Sequence, residues 1–278
     1  MFVIKASGER EEFNSDKLEN TLKRAGASSK LAKLIVLKIK KISYDGISTK
    51  EILNAALKEL EAQEHHHIAA KYNLKTAIME LGPAGYDFET YVGEILRRYD
   101  YETQLRQKIL GKCVLQEIDV IAADRKTKDI AMIECKYHNQ SGIYTGLKEA
   151  MYTYARFLDV SEGFKAKKNN IDFDQAWLVT NTKISDEALK YAKCKGMEVI
   201  AWKFGTKSLL KMITDKKLYP VTVLRTIDHF AKVKFASAEL VIVEDILTYQ
   251  PDELVQMTGL SVGVIKKAQL EIERIIKE

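Results

Sequence analysis

Two short apolar stretches in the middle of the chain, residues 114–122 and 130–136, carry charged side chains among aliphatic ones, and a polar connection, 124–129, joins them. Along a strand, successive side chains point to opposite faces. In Ile133-Glu134-Cys135-Lys136, Glu134 and Lys136 therefore share one face, and Ile133 and Cys135 share the other. If the two stretches pair as a hairpin, Asp119, within Gln116-Glu117-Ile118-Asp119-Val120-Ile121, comes beside Glu134 at the rim of the sheet. A charge among apolar residues is costly unless it is paired or bound to a metal ion. Three such charges converge here.

Two readings resolve that cost. The solvated face of a half-exposed strand would show the same spacing. Phosphodiester hydrolysis would also require it: two carboxylates bind Mg²⁺ through hard oxygen ligands, and the ion polarises a phosphoryl oxygen and acidifies a water. A neighbouring ammonium steadies the charge of the transition state, and lysine brings that charge on a long, flexible stem. On this reading Asp119, Glu134 and Lys136 are the catalytic residues, with Asp119 and Glu134 on the metal.

The surroundings alternate between helical and extended patterns. A helix over 88–98 precedes the two strands; a helix over 147–158, a polar loop over 165–170 and an apolar run over 176–180 follow. A helix over 186–195, stopped by Gly196, leads to a last strand over 197–202. That alternation predicts an α/β layer structure, a central sheet flanked by helices. Upstream, residues 2–5 predict a strand, Ala6-Ser7-Gly8-Glu9 a turn, and 11–14 a second extended piece. Four helices follow. The first starts at Asn14-Ser15-Asp16 and the second carries Leu31, Leu34, Ile35, Leu37 and Ile39; the third is capped by Ser48 or Thr49 with Glu51 at the capping-box position, and the fourth spans 68–81. Gly82-Pro83 breaks the pattern. Beyond 206 the chain reads as mainly helical, with 239–247 open between strand and helix. Three regions are expected: 1–82, 84–205 and 206–278.

The middle layout has Gly85-Tyr86-Asp87-Phe88-Glu89 ahead of the strands, then Leu178-Val179-Thr180-Asn181 and Ser185-Asp186-Glu187-Ala188 after them. It resembles the PD-(D/E)XK nuclease superfamily, in particular its Mrr-type restriction endonuclease branch. The resemblance covers about residues 84–205 and implies a restriction-endonuclease-like sheet, Mg²⁺ (or Mn²⁺), and catalysis by Asp119, Glu134 and Lys136. It further implies a metal ligand at Glu89, ahead of Glu94, which lacks the glycine–aromatic–glutamate entry. Ile118 stands where the superfamily's name has proline. Gln116, Glu117, Asn139 and Gln140 are polar neighbours of lesser weight.

The first region carries Val3-Ile4-Lys5, Gly8, Glu11, Phe13-Asn14, Asp16-Lys17-Leu18 and Tyr44-Asp45-Gly46-Ile47-Ser48-Thr49. It resembles an ATP-cone, a small nucleotide-sensing module. That resemblance implies ATP or dATP as effector, with Lys5 and Lys17 facing phosphates and Val3, Glu11, Asn14 and Thr49 lining the pocket. A cationic pair beside a helix N-terminus suits phosphate. The plainer alternative is that both are solvated members of a set of 44 basic residues. Leu53 departs from the pattern where some members have an imidazole. His65-His66-His67 point in different directions around a helix and read as a polar helix entry.

Near the C-terminus, Leu254-Val255-Gln256-Met257-Thr258-Gly259-Leu260-Ser261 and a helical stretch beyond it resemble a helix-hairpin-helix element. Such an element offers turn amides to DNA phosphates without reading sequence, here around Gly259 with Lys266 and Lys267 alongside. An ordinary hairpin used for packing or dimerisation has the same pattern.

Net charge is only +5, compatible with nucleic acid without demanding it. No apolar run is long enough for a bilayer. Three scattered cysteines without a C-x-x-C pair suggest neither zinc nor a disulfide framework, and with no leader pattern a cytoplasmic protein is expected. Together the residues predict a Mg²⁺-dependent DNA endonuclease of restriction or repair type, governed by ATP or dATP and working as a homo-oligomer, dimer or higher. The rival is a non-catalytic, nucleotide-responsive DNA-binding or regulatory protein that keeps the nuclease scaffold.

Overall fold

The computed structural model describes residues 1–5, 7–82, 85–140, 142–205 and 207–276. Ala6 of the expected first turn, Pro83 of the expected break, and Ala84 and Thr206 at the expected region limits lie outside the described residues. The chain falls into two compact units. One comprises Met1–Ala77, Val221–Lys234 and Ile246–Glu278; the other comprises Ile78–Pro220 and Phe235–Asp245.

The first unit opens with β1 (Phe2–Ile4), paired antiparallel to β2 (Arg10–Glu12). Helices α1 (Ser15–Arg24) and α2 (Ser29–Ile42) follow. Then β3 (Ile47–Ser48) joins β1 in parallel ahead of α3 (Thr49–Ala62) and α4 (His66–Met79). The helix starts are set locally. Asn14 Oδ1 accepts from Lys17 N at 2.8 Å, and Ser48 with Glu51 forms a complete capping box over α3. Satisfying these otherwise orphaned amides is worth about 1 kcal/mol per cap. Leu22, Ile35, Ile39, Leu57 and Leu60 meet in the core with no exposure.

The second unit contains α5 (Tyr86–Arg98), β4 (Tyr101–Leu110), β5 (Leu115–Asp124), β6 (Ile130–Lys136) and β7 (Tyr144–Thr145). It continues with α6 (Leu147–Lys165), β8 (Gln175–Thr180), β9 (Lys183–Ile184), α7 (Asp186–Lys195), β10 (Glu198–Ile200) and α8 (Leu209–Asp215). Five strands make one sheet in the order β10-β8-β6-β5-β4. β4, β5 and β6 run antiparallel to one another in turn, whereas β8 and β10 continue in parallel from β6. This is the expected α/β fold, a sheet flanked by helices, with the β5–β6 hairpin at its centre.

The ten-residue strand β4 does not show in a reading of apolar runs. Tyr101, Thr103, Leu105, Gln107 and Ile109 are half-buried, while Glu102, Gln104, Lys108 and Leu110 are exposed. The period of two is clean, but threonine and glutamine on the inner side hide it from a search for hydrophobic stretches. Helix α6 also runs about two turns past the expected 158, to Lys165. Its inner face packs Ala150 with Ala176 and Leu178, and Val160 with Ile118, Ile121 and Met132.

The remainder is helical, with a 3-10 turn at Val221–Val223 and helices α9 (His229–Ser237), α10 (Val243–Ile246), α11 (Pro251–Thr258) and α12 (Val262–Ile276). The ambiguous stretch 239–247 is both extended and helical: Ile242 bridges antiparallel to Pro220, and α10 starts at the next residue. Within the first unit, buried Glu271 of α12 accepts from Arg225 N, Thr226 N and Thr226 Oγ1 at 2.8, 2.9 and 2.6 Å. Among the described residues no helix is long and apolar enough to cross a membrane.

Candidate active site

The backbone ladder between β5 and β6 ends at the pair Val120↔Ile133. Asp119 and Glu134 are the next residue on each strand. Where the ladder stops, Asp119 Oδ2 takes the free amide of Cys135 at 2.7 Å. A side chain thus replaces a backbone carbonyl, and the strands part around the two acids. β6 itself stays paired to β8 through Lys136↔Thr180, which holds Glu134 and Lys136 on rigid strand.

Glu134 is 3% exposed. Lys136 Nζ donates to its Oε1 at 2.5 Å, and the Arg156 guanidinium donates to Oε2. A carboxylate so far out of water requires such partners. Arg156 comes from α6 and is itself buried, at 9% exposed. Tyr152, one turn earlier, lies beside both cations, its ring centroid 5.4 Å from the Arg156 guanidinium carbon and 5.7 Å from Lys136 Nζ. Arg156 was not anticipated, although a signal for it exists. It occupies the inner stripe of α6 with Ala150, Thr153, Val160 and Gly163, where an arginine implies a buried acid opposite.

The electrostatics follow from burial and proximity. Burial, reinforced by the charges of Glu134 and Glu89, pushes the Asp119 carboxyl up to about 7, against the lowering effect of the Cys135 amide. Burial also raises Glu89, with Arg106 opposing and Glu117 and Glu134 reinforcing. For Lys136, burial opposes the charge, but the hydrogen bond and charge of Glu134 outweigh it and raise the ammonium above its usual range. Burial drives the Cys135 thiol well above its ordinary value, so it offers no thiolate.

Glu89, on the first turn of α5, lies 3.7 Å from Arg106, whose guanidinium also donates to Thr90 Oγ1 at 3.1 Å. Arg106 has φ 51, a left-handed conformation unusual for a non-glycine in mid-strand. The pairs Leu105↔Val120 and Gln107↔Ile118 on either side set it abreast of Asp119. Among the described residues, no three His, Cys, Asp or Glu side chains stand grouped as ligands of one ion. The structure therefore brings Asp119, Glu134 and Lys136 together and keeps Glu89 within electrostatic range, held by Arg106. As donors, Asp119 and Glu134 suit a hard divalent cation: both are carboxylates, and the charge of Glu134 raises the cost of charging Asp119. Of the lesser neighbours, Gln116 donates to Asp159 at 2.8 Å, while Glu117, Asn139 and Gln140 are exposed. Glu94 pairs with Arg97 on its own helix.

In the first unit, Lys5 and Lys17 both bind Glu11, at 2.6 and 2.9 Å. Their hydrogen bonds bring the Glu11 carboxyl down to about 2. Lys17 lines a cavity of about 590 Å³ with Asn20, Lys23 and Arg24. Asn14 caps α1, Thr49 is the first residue of α3, and the Val3 side chain lies in the core, 6% exposed. Gly259 ends α11 in the left-handed conformation at φ 69, and Lys266 and Lys267 are exposed on α12. Lys267 lines a cavity of about 490 Å³ with Arg225, Arg274 and Glu271. Glu61 and His66 border that cavity too, and none of the three neighbouring histidines joins a metal-ligand group among the described residues.

Residues 1–77 match the family described as an ATP cone domain, and residues 83–206 match the family described as a restriction endonuclease. An uncharacterized protein of Archaeoglobus fulgidus is 39% identical over 186 residues, 66% of this chain and 99% of that one. The crystal structure of a protein of unknown function, AF1548, aligns with a TM-score of 0.60 at 38% identity, covering 69% of this chain and 98% of its own.

Proposed function

This chain belongs to the family in which an ATP cone domain precedes an Mrr-type restriction endonuclease domain, and from that premise we propose that it is a divalent-cation-dependent DNA endonuclease. The observation that carries the proposal is the convergence of Asp119, Glu134 and Lys136 where β5 and β6 part. Asp119 and Glu134 would hold Mg²⁺ or Mn²⁺, with Glu89 as the proposed further ligand, its charge already felt by Asp119. The ion, when bound, supplies a polarised phosphoryl group and an acidified water. Lys136 contributes an ammonium beside the reacting phosphate, orienting the attacking water and offsetting the charge that develops on oxygen. Buried flanks at Ile133 and Cys135 keep the strand rigid, which holds the three groups in register.

Around that centre, 84–205 is assigned to cleavage, 1–82 to nucleotide sensing and 206–278 to DNA contact. ATP or dATP is the proposed effector, at Val3, Lys5, Glu11, Asn14, Lys17 and Thr49. Glu11 already neutralises both lysines, so a triphosphate must displace it from one of them. Gly259, Lys266 and Lys267 are proposed to meet DNA phosphates, and a homo-oligomer is proposed as the working form.

The test is incubation of the full chain with plasmid and with branched DNA, in Mg²⁺, in Mn²⁺ and in chelator. Strand scission that needs the cation supports the proposal. DNA binding without scission in either cation contradicts it. One observation favours the second reading, a DNA-binding regulator on a nuclease scaffold: both Glu134 oxygens are already taken by the chain's own cations. That reading expects DNA affinity unchanged by chelator.

A further inference from the structure

Glu134 has two cationic partners, and they are not equivalent. The Lys136 side chain is 30% exposed, on a flexible stem at the end of β6, while that of Arg156 is only 10% exposed. Arg156 is fixed by its place on the inner stripe of α6 and by the Tyr152 ring. Its Nε is buried without a hydrogen-bond partner. A buried donor left unsatisfied costs stability, so α6 holds the guanidinium there against a local penalty. The helix could not easily shift to relieve it. A Cβ on Gly163 would come within 2.7 Å of Leu110 O, so α6 lies directly on the end of β4.

Resting on the cation-dependent reading above, we infer that Arg156 is a positioning residue for the metal centre: it clamps Glu134 Oε2 permanently and leaves Oε1 as the exchangeable oxygen. Lys136 occupies Oε1 in the free protein. Asp119 and Glu134 would hold a divalent cation, and Lys136, the more exposed and more flexible of the two partners, would be the one to yield its place on Glu134 and so become available to a phosphate. The same carboxylate thus serves as resting partner for the lysine and as ligand for the ion, while the arginine fixes its plane. A planar guanidinium held by its helix and by the Tyr152 ring suits the fixed role through its single bond to Oε2, and a compact ammonium on four carbons suits the mobile one.

The inference makes the two like charges act with opposite signs on ion binding. If both were mere counterions, removing either would tighten the cation, because one repelling charge is gone. If Arg156 positions Glu134, removing it weakens binding, and removing Lys136 does not. Mn²⁺ binding to the full chain is followed without DNA by electron paramagnetic resonance, with Ca²⁺ calorimetry as a second probe. Lys136→Met is expected to bind as tightly as the unaltered protein or more tightly. Arg156→Gln is expected to bind about 10–100-fold more weakly, the usual loss when a group orienting a ligand is removed. Arg156→Lys keeps the charge without the planar guanidinium and is expected to fall between; it carries the test if Arg156→Gln does not fold by circular dichroism. Tighter binding by Arg156→Gln, or unaltered binding by Arg156→Lys, overturns the inference. If the unaltered protein binds neither ion, the cation-dependent reading itself fails first, and this inference falls with it.

Discussion

At the scale of single residues, the site is a set of charges kept from water by one another. Asp119 is the most exposed to consequence. Its carboxyl titrates near 7 when folded, against an ordinary 3.8. Between those values the folded chain keeps a proton that the unfolded chain has released, so stability falls as pH rises from about 4 to about 7 and stays low above. Asp119→Asn does not titrate and still offers an oxygen to the Cys135 amide. In the absence of divalent ions it should be more stable than the unaltered protein at pH 8, with the gap closing near pH 4. Urea unfolding at the two pH values checks this; an equal offset at both would contradict the assignment. Asp119, Glu134 and Lys136 were legible in the sequence because each interrupts an aliphatic run. Arg156 and Arg106 were not, since their partners lie on other elements, 22 residues away for Arg156–Glu134 and 17 for Arg106–Glu89.

At the scale of elements, the parts with strong local rules matched the structure closely. The Ser48–Glu51 capping box starts α3, and Gly196 at φ 68 stops α7 where a left-handed residue was expected. The central hairpin was legible from its aliphatic content. β4 was not, because its inner side mixes Thr103 and Gln107 with Leu105, and only pairing along the whole of β5 makes it a strand. α6 outruns its expected end for a related reason: past 158 only Val160 and Gly163 are buried, too sparse a stripe to read as a helical face. Gly163 is where α6 meets β4. An added methyl there would sit 2.7 Å from Leu110 O and 2.8 Å from the Gly111 carbonyl carbon, backbone atoms that cannot swing aside. Helix propensity favours alanine by about 1 kcal/mol, but overpacking against backbone costs more. Gly163→Ala should lower stability by about 1–3 kcal/mol. Thermal unfolding tests it, and a stabilised variant would mean that α6 is free to move.

At the scale of the whole molecule, the chain joins an ATP cone domain to a restriction endonuclease domain. The C-terminal stretch divides between the two compact units, with 221–234 and 246–278 in the first and 235–245 in the second. No reading of local pattern anticipates that division, since it depends on contacts between residues far apart, such as Glu271 with Arg225 and Thr226. If the first region governs the second, millimolar ATP or dATP should change both the sedimentation coefficient and the rate of DNA scission. Lys17→Glu should abolish both responses. Indifference of both quantities to either nucleotide would remove the regulatory part of the account. The central claim is narrower and is tested most directly by one comparison: scission of supercoiled plasmid in Mn²⁺ by the unaltered chain, by Asp119→Ala and by Lys136→Ala, with DNA binding measured on the same preparations. The account predicts that both variants bind DNA and leave the plasmid intact while the unaltered chain cuts it. Equal cutting by all three would contradict it.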